Sequence, residues 1–302
     1  MASAAAAIRG GWRNAVSGFL DDMASLSAAR VAEAIRRESV NALERRARRT
    51  APSAPLRLSA SGFDVIAELK LRSPAAGRLS DGSEDWWGRV AAYARGGAAA
   101  VSVLTEPSRF DGSLEHLRQA AALLAPFGVP AMRKDFLVDP YQVLEARAAG
   151  AGGVLVILRM LTRPRIEELL DVAGEHGMFV LLEAFDEVDL AVAHDLTESR
   201  AVRGAGRGAD GGAGRAEPIL IGVNCRDLQT LKIVQDRFAA LAPLLPNGWP
   251  AVAESGVASG LDARRMQQLG YRLALIGTAL MASGDPSRLL REIFDATRTV
   301  QP

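Results

Sequence analysis

Cysteine occurs once in this 302-residue chain, at Cys225, which excludes an intrachain disulfide and any zinc centre built on several thiolates. Histidine is almost as scarce. His116, His176 and His194 lie far apart, with none of the i, i+4 spacing of a zinc-protease helix, so a metal enzyme is not expected. An excess of one charge is missing too. Thirty-six Lys and Arg against 35 Asp and Glu leave +1, too little to draw the chain onto nucleic acid or an acidic membrane. No apolar run approaches the ~20 residues that span a bilayer. The opening stretch, Met1 to Gly10, is alanine-rich and lacks a positive region followed by a leucine-rich one. The expectation is a cytoplasmic protein that engages neither nucleic acid nor membrane. What the chain does have is apolar content, 49% of residues, enough for one large core or two ordinary ones.

Residues 1–60 read differently from the rest, as an N-terminal helical extension and linker. Helical spacing of Val31, Ile35 and Leu43 predicts a helix from about Ser27 to Arg49, dense in arginine (Arg36, Arg37, Arg45, Arg46, Arg48, Arg49). Glu33, Glu38 and Glu44 sit among these arginines, which favours a solvated face over a nucleic-acid arm. The link Ala51-Pro-Ser-Ala-Pro55 then leads into the body, residues 61–302.

In the body, eight short apolar runs alternate with longer amphipathic stretches. The runs are Phe63–Leu69, Ala99–Leu104, Val129–Met132, Gly153–Ile157, Phe179–Leu182, Ile219–Val223, Ala251–Ala253 and Leu273–Ile276. Helical spacing fills intervals such as Ser113–Ala125, Pro140–Ala149, Pro164–His176 and Ser259–Gln268. Continuous apolar runs suit parallel strands buried on both faces. Eight βα units predict a (β/α)8 TIM barrel; a doubly wound sheet shares the alternation, but no G-x-G-x-x-G follows the first strand. A glycine-dense stretch at about 203–216 breaks the rhythm. It follows a helix and precedes a strand, which places it on the barrel face away from the chemistry, as an insertion.

Side chains that end barrel strands point into the catalytic mouth. Here they are Lys70, Thr105, Lys134, Glu183, Asn224 and Glu254, with Glu68 on the same side of its strand as Lys70. Lysines and carboxylates on one rim supply acid and base for proton transfer around a carbonyl. Glu254-Ser255-Gly256 after strand seven and Gly277-Thr278 after strand eight, just before a short helical stretch, suit a phosphate. Ser73 and Arg226 are candidate additional anion ligands. Cys225, beside the mouth with no histidine at a strand end to serve as its base, reads as a packed residue, and the three histidines fall on or near helix ends.

These motifs together resemble indole-3-glycerol phosphate synthase. The resemblance is carried by Ala67-Glu-Leu-Lys-Leu-Arg-Ser-Pro74, Ser102-Val-Leu-Thr105 with Phe110-Asp-Gly-Ser113, Arg133-Lys-Asp-Phe136, Tyr141-Gln142 and Leu182-Glu183. Ile221-Gly-Val-Asn-Cys-Arg-Asp-Leu228, Glu254-Ser-Gly256 and Leu275-Ile-Gly-Thr278 with Leu280-Met281 continue it, in order, over about 63–295. It implies ring closure of 1-(2-carboxyphenylamino)-1-deoxyribulose 5-phosphate, with loss of carbon dioxide and water, without a cofactor. By motif, Lys134 would be the general acid, Glu183 the general base, and Lys70 the lysine that holds the substrate carboxylate and assists dehydration. Glu68, Asn224, Glu254 and Ser255 would orient these groups or bind substrate, and Phe110 and Phe136 would hold the anthranilate ring. Ser73, Gly256, Gly277 and Thr278 would hold phosphate, with Arg226 nearby. The chain departs from the family's usual pattern at Leu71, at Ala184-Phe185 and at Cys225. A paralogous phosphate-binding barrel acting on a modified anthranilate-derived substrate and a catalytically silent barrel that binds a phosphorylated ligand are the competing readings. Monomer and weak homodimer both remain open.

Overall fold

The computed structural model describes residues 18–60, 62–73, 77–78, 85–205, 218–228, 230, 232–234 and 236–298. Within them eight parallel strands close into a barrel: β1 (Asp64–Leu69), β2 (Ala100–Leu104), β3 (Ala131–Lys134), β4 (Gly153–Ile157), β5 (Phe179–Ala184), β6 (Ile219–Asn224), β7 (Ala251–Glu254) and β8 (Leu273–Ile276). Closure is made by β8 against β1, with Asp64 opposite Leu273 and Ala67 opposite Ile276. A helix follows each strand, as in Leu114–Leu124 after β2, Pro140–Ala148 after β3 and Gly260–Gln268 after β7. The result is a (β/α)8 barrel. The glycine-dense insertion lies outside the described residues from 206 to 217.

Strand side chains alternate between two cores, as the period of two requires. Ile66, Met132, Leu155, Leu181, Leu220, Val252 and Leu275 meet inside the barrel. Their neighbours Val65, Ala67, Val101, Val103, Val154, Val180 and Ile221 face the surrounding helices. Helix starts are fixed by side chains that satisfy free N–H groups. Asp139 and Gln142 form a reciprocal capping box on Pro140–Ala148, and Ser259 caps Gly260–Gln268.

Two departures from the sequence expectation have local causes. The third strand runs Ala131–Lys134 rather than Val129–Met132, because Pro130 has no N–H to donate and enters the ladder only as an acceptor, from Val101 N–H at 3.0 Å. The N-terminal helix is two helices, α1 (Gly18–Arg37) and α2 (Val40–Arg49), broken where the Ser39 hydroxyl takes the Ala42 N–H at 3.4 Å. Serine competes for the backbone in this way and favours a cap over a helix interior.

The arginine-dense face of α1 and α2 pairs with its own acids, Arg37 with Glu33, Arg46 with Glu38 and Arg48 with Glu44. The opposite face is apolar and docked. Leu20 and Met23 join the cluster at the barrel mouth, while Val31, Leu43 and Ala47 pack on Tyr141 and Leu144. Tyr141 also donates its hydroxyl to the Glu38 carbonyl at 2.9 Å. Since Leu43 is fully buried, Leu43→Ala is expected to lower unfolding free energy by ~2–5 kcal/mol, checked by urea denaturation of the intact chain.

Candidate active site

The alternation that fills the barrel interior also builds its mouth. Two residues beyond a buried apolar side chain, the inward position turns polar: Glu68 after Ile66, Lys134 after Met132, Glu183 after Leu181 and Glu254 after Val252. Asn224 comes four beyond Leu220, with Gly222 between them. All five line one cavity of about 420 Å³. Lys134 Nζ stands 3.6 Å from Glu254 Oε2 and 4.0 Å from Glu183 Oε1. Asn224 Nδ2 donates to Glu183 Oε1 at 2.5 Å, and Asn224 Oδ1 accepts the Arg226 N–H at 2.8 Å. Lys70, just past the end of β1, pairs with Glu68 at 2.9 Å.

Two glycines make room for the carboxylates. A Cβ on Gly222 would lie 2.0 Å from Glu254 Oε1, and one on Gly277 would lie 2.3 Å from Glu68 Oε1. A Cβ at either place would force the carboxylate end of that glutamate to move.

The charges in this enclosure set one another's protonation. Burial alone would lower the Lys134 ammonium, but the carboxylates of Glu183, Glu254 and Glu68 hold it above its ordinary value, so it is protonated. Burial works to raise the Glu68 carboxyl, and Lys70 and Lys134 together keep it below the usual range. Glu254 goes the other way. Burial first, and then the Glu183 carboxylate, push it up to about 8 against the pull of Lys134. Both its oxygens are buried without a hydrogen-bond partner, and the 3.6 Å approach of Lys134 is ion-pair distance, beyond a hydrogen bond.

On the phosphate-expected side, Ser255, Gly256, Gly277, Thr278 and Arg226 line the same cavity. Ser255 (φ 66°) and Gly256 (φ 87°) are both left-handed, and for serine that conformation costs of order 1–3 kcal/mol. The helix after Gly277 is only Thr278–Ala282, too short for a sizeable helix dipole. Phe110 and Phe136 form an aromatic wall with ring centroids 6.2 Å apart. Ser73 ends a two-residue strand paired with Gly77–Arg78 and is not among the residues lining the cavity.

One expected member of the rim belongs elsewhere. Thr105 is buried outside the cavity, where its hydroxyl donates to Asp135 Oδ2 at 2.8 Å and accepts from Arg133 Nε at 3.1 Å. It follows β2 on the side facing the next strand's turn. The reading of strand ends missed Phe19, Leu155 and Ile157, which also line the cavity. Phe19 reaches it from α1, edge-on to Phe136 at 5.9 Å, from a segment that sequence alone set apart from the body. Leu155 and Ile157 lie in an all-apolar strand, which a search for polar closures passes over. Among the described residues no histidine lines the cavity; His116 sits edge-on against Trp86. Cys225 is fully buried with burial pushing its thiol up to about 11, which disqualifies it as a nucleophile near neutral pH.

The family model of indole-3-glycerol phosphate synthase matches residues 20–201 and 212–293. The chain belongs to the indole-3-glycerol phosphate synthase family. Proteins of that name from Nocardioides sp. and Parafrankia sp. are 43% identical over 237 residues and 40% over 239, covering 78% and 79% of this chain and 81% and 80% of theirs. The one from Mycobacterium tuberculosis is 37% identical over 276 residues, 90% of this chain and 92% of its own. Among solved structures, 3-hexulose-6-phosphate synthase from Salmonella typhimurium superposes with a TM-score of 0.55 at 13% identity, over 78% of this chain and 98% of that one, a likeness of fold alone.

Against the indole-3-glycerol phosphate synthase pattern, Phe185 has a structural role. The Arg159 guanidinium lies over its ring at 4.6 Å and pairs with Asp189, which accepts the Phe185 N–H at 2.8 Å. The turn after Glu183 is thereby held from outside the cavity.

Two outcomes follow from this geometry. Gly222→Ala is expected to displace Glu254 and cut turnover at least tenfold at a stability cost of ~1–3 kcal/mol, read by steady-state kinetics beside thermal denaturation. Between pH 4.5 and about 8 the folded state holds the Glu254 proton that the unfolded chain releases, so this carboxyl makes stability fall as pH rises across that window. Glu254→Gln is expected to flatten that fall, measured as the difference in thermal midpoint between pH 5.5 and pH 9.

Proposed function

We propose that the cavity closes the indole ring of 1-(2-carboxyphenylamino)-1-deoxyribulose 5-phosphate, with Lys134 as general acid, Glu183 as general base and Lys70 as the lysine that binds the anthranilate carboxylate and aids dehydration. Family membership gives the reaction class, a carboxy-lyase step of tryptophan biosynthesis on a phosphorylated small molecule. The observation that carries the assignment is the placement of Lys134, 3.6 and 4.0 Å from two buried carboxylates inside an aromatic-walled cavity.

The chemistry needs acids and a base close together. As the arene carbon bearing the carboxylate attacks the ketone, the ketone oxygen takes a proton from Lys134. Loss of carbon dioxide restores the benzene ring, and the new hydroxyl takes a second proton, from Lys70, as it leaves as water. Glu183 accepts the proton lost from the methylene beside nitrogen as the five-membered ring becomes aromatic. Two protons in and one out make the reaction consume one proton per turnover. Lys134, held protonated by its carboxylates, is suited to the first donation. Glu68, at 2.9 Å, orients Lys70, and Asn224, donating to Glu183, fixes the base.

Phosphate is assigned to the backbone around Ser255, Gly256, Gly277 and Thr278, after β7 and β8, with Arg226 adding charge. Ser73, which does not line the cavity, enters the phosphate assignment on its sequence motif alone. Phe110 and Phe136 are assigned to the anthranilate ring, over an apolar floor of Leu155 and Ile157. All of the proton transfers fall within residues 61–302, with residues 1–60 as the extension that borders the mouth. As a biosynthetic enzyme working alone or as a weak homodimer, the protein is placed in the cytoplasm, where its single buried thiol suits a reducing compartment.

The test is the rise of indole fluorescence when the purified protein meets the substrate. Lys134→Ala is expected to lower kcat by ~10²–10⁴-fold with substrate still bound. Turnover unchanged in that variant would overturn the acid assignment, and substrate binding without any turnover by the parent would favour the silent barrel.

A further inference from the structure

The arginines of the extension pair mostly with acids of their own helices, but Arg30 does not. From α1 its Nη2 lies 2.7 Å from Asp135 Oδ1, and its Nη1 lies 3.4 Å from Glu106 Oε1. Both carboxylates are almost wholly buried, at 1% and 2% side-chain exposure, so these are not the screened surface pairs that contribute little.

Each carboxylate organises the turn that ends a strand. Asp135 directly follows Lys134. Its Oδ1 accepts the Phe136 N–H at 2.8 Å, and its Oδ2 takes Thr105 at 2.8 Å and Arg133 at 3.0 Å. Glu106 follows Thr105 after β2 and caps the single helical turn Pro107–Phe110, accepting the N–H groups of Ser108 at 2.9 Å and Arg109 at 2.6 Å. One turn from Arg30 on the same helix, Ser27 donates to the Phe136 carbonyl at 2.5 Å and accepts from Gln142 at 2.8 Å.

We propose that Arg30 is a positioning residue: by bridging Asp135 and Glu106 from the N-terminal helix, it sets the two strand-end turns that present Lys134 with Phe136, and Phe110, in register with each other. The proposal rests on the reading of Lys134 as the acid and of the two phenylalanines as the ring-binding wall. The planar guanidinium has donors aimed at both carboxylates, which the compact ammonium of lysine cannot reach together. Asp135 keeps Arg133 when Arg30 is removed, whereas among the described ion pairs Glu106 faces Arg30 alone. Loss of the bridge leaves the two turns joined at Thr105, which donates to Asp135 at 2.8 Å, and removes the hold on the Glu106 carboxylate that caps the turn carrying Phe110. A misplacement of about 1 Å in a reacting geometry costs on the order of 10²-fold in rate.

The experiment compares the parent, Arg30→Ala and Arg30→Lys in the full-length chain, reading kcat, KM and thermal midpoint, with guanidinium chloride added at ~20 mM and sodium chloride at equal ionic strength as control. Arg30→Ala is expected to lose ~10–100-fold in kcat, and guanidinium is expected to restore several-fold of it where sodium chloride does not. Arg30→Lys is expected to fall between, and its kcat decides the question should Arg30→Ala fail to fold. A kcat within twofold of the parent in either variant would overturn the proposal, as would a loss that follows the thermal midpoint and ignores guanidinium. Failure here is distinct from failure of the functional reading: a parent that turns over, an inactive Lys134→Ala and a normal Arg30→Ala defeat only the bridge.

Discussion

Lys134 is an ammonium shut into the mouth of the barrel among carboxyl groups on β1, β5 and β7, and that enclosure shapes the rest of the site. An isolated charge of either sign would be expelled from such a place, or would shed its charge. Here the groups answer one another. Glu254 keeps its proton near neutrality, and the two lysines then face the two remaining carboxylates of Glu68 and Glu183. The balance survives only if the side chains stay where the backbone puts them. A closed parallel barrel, whose neighbouring strands fix one another's register, supplies that rigidity. The apolar layer of Ile66, Met132, Leu181 and Val252 immediately beneath the charges keeps water from entering from below.

The extension belongs to the same physical unit as the mouth. Its arginine-dense outer face is neutralised locally, and its inner face supplies Phe19, Leu20 and Met23 to the apolar cluster above the barrel and Leu43 to the side of the helix after β3. The extension and the wall of Phe110 and Phe136 are thus joined by the packing of Phe19 on Phe136 and by the ion pairs of Arg30.

Much of this was legible in the sequence because parallel strands buried on both faces leave continuous apolar runs, and because strand ends in a barrel converge. Lys134, Glu183, Asn224 and Glu254 could be picked out as polar terminations of apolar runs, and the register then carried them to one cavity. Thr105 fits the same description and lies elsewhere; sequence does not tell which side of the strand its terminating residue faces, and Thr105 is one position out of phase with inward-facing residues. The apolar floor was invisible for the opposite reason, since Leu155 and Ile157 do not differ in kind from any other core residue. The break at Ser39 and the reach of Phe19 depend on tertiary docking, which overrides the periodicity of a single helix.

The missing β-carbons of Gly222 and Gly277 give the site a division of labour. The carboxyl groups they adjoin, Glu254 and Glu68, are each seated against main chain, so the rim has little freedom to expand or contract by side-chain exchange. The floor and wall are made of ordinary apolar side chains, Leu155, Ile157 and Phe19, none of which carries a charge. A barrel arranged in this way can change the room in its cavity while its charged groups stay in place. Cavity volume and charge placement thus rest on separate sets of positions.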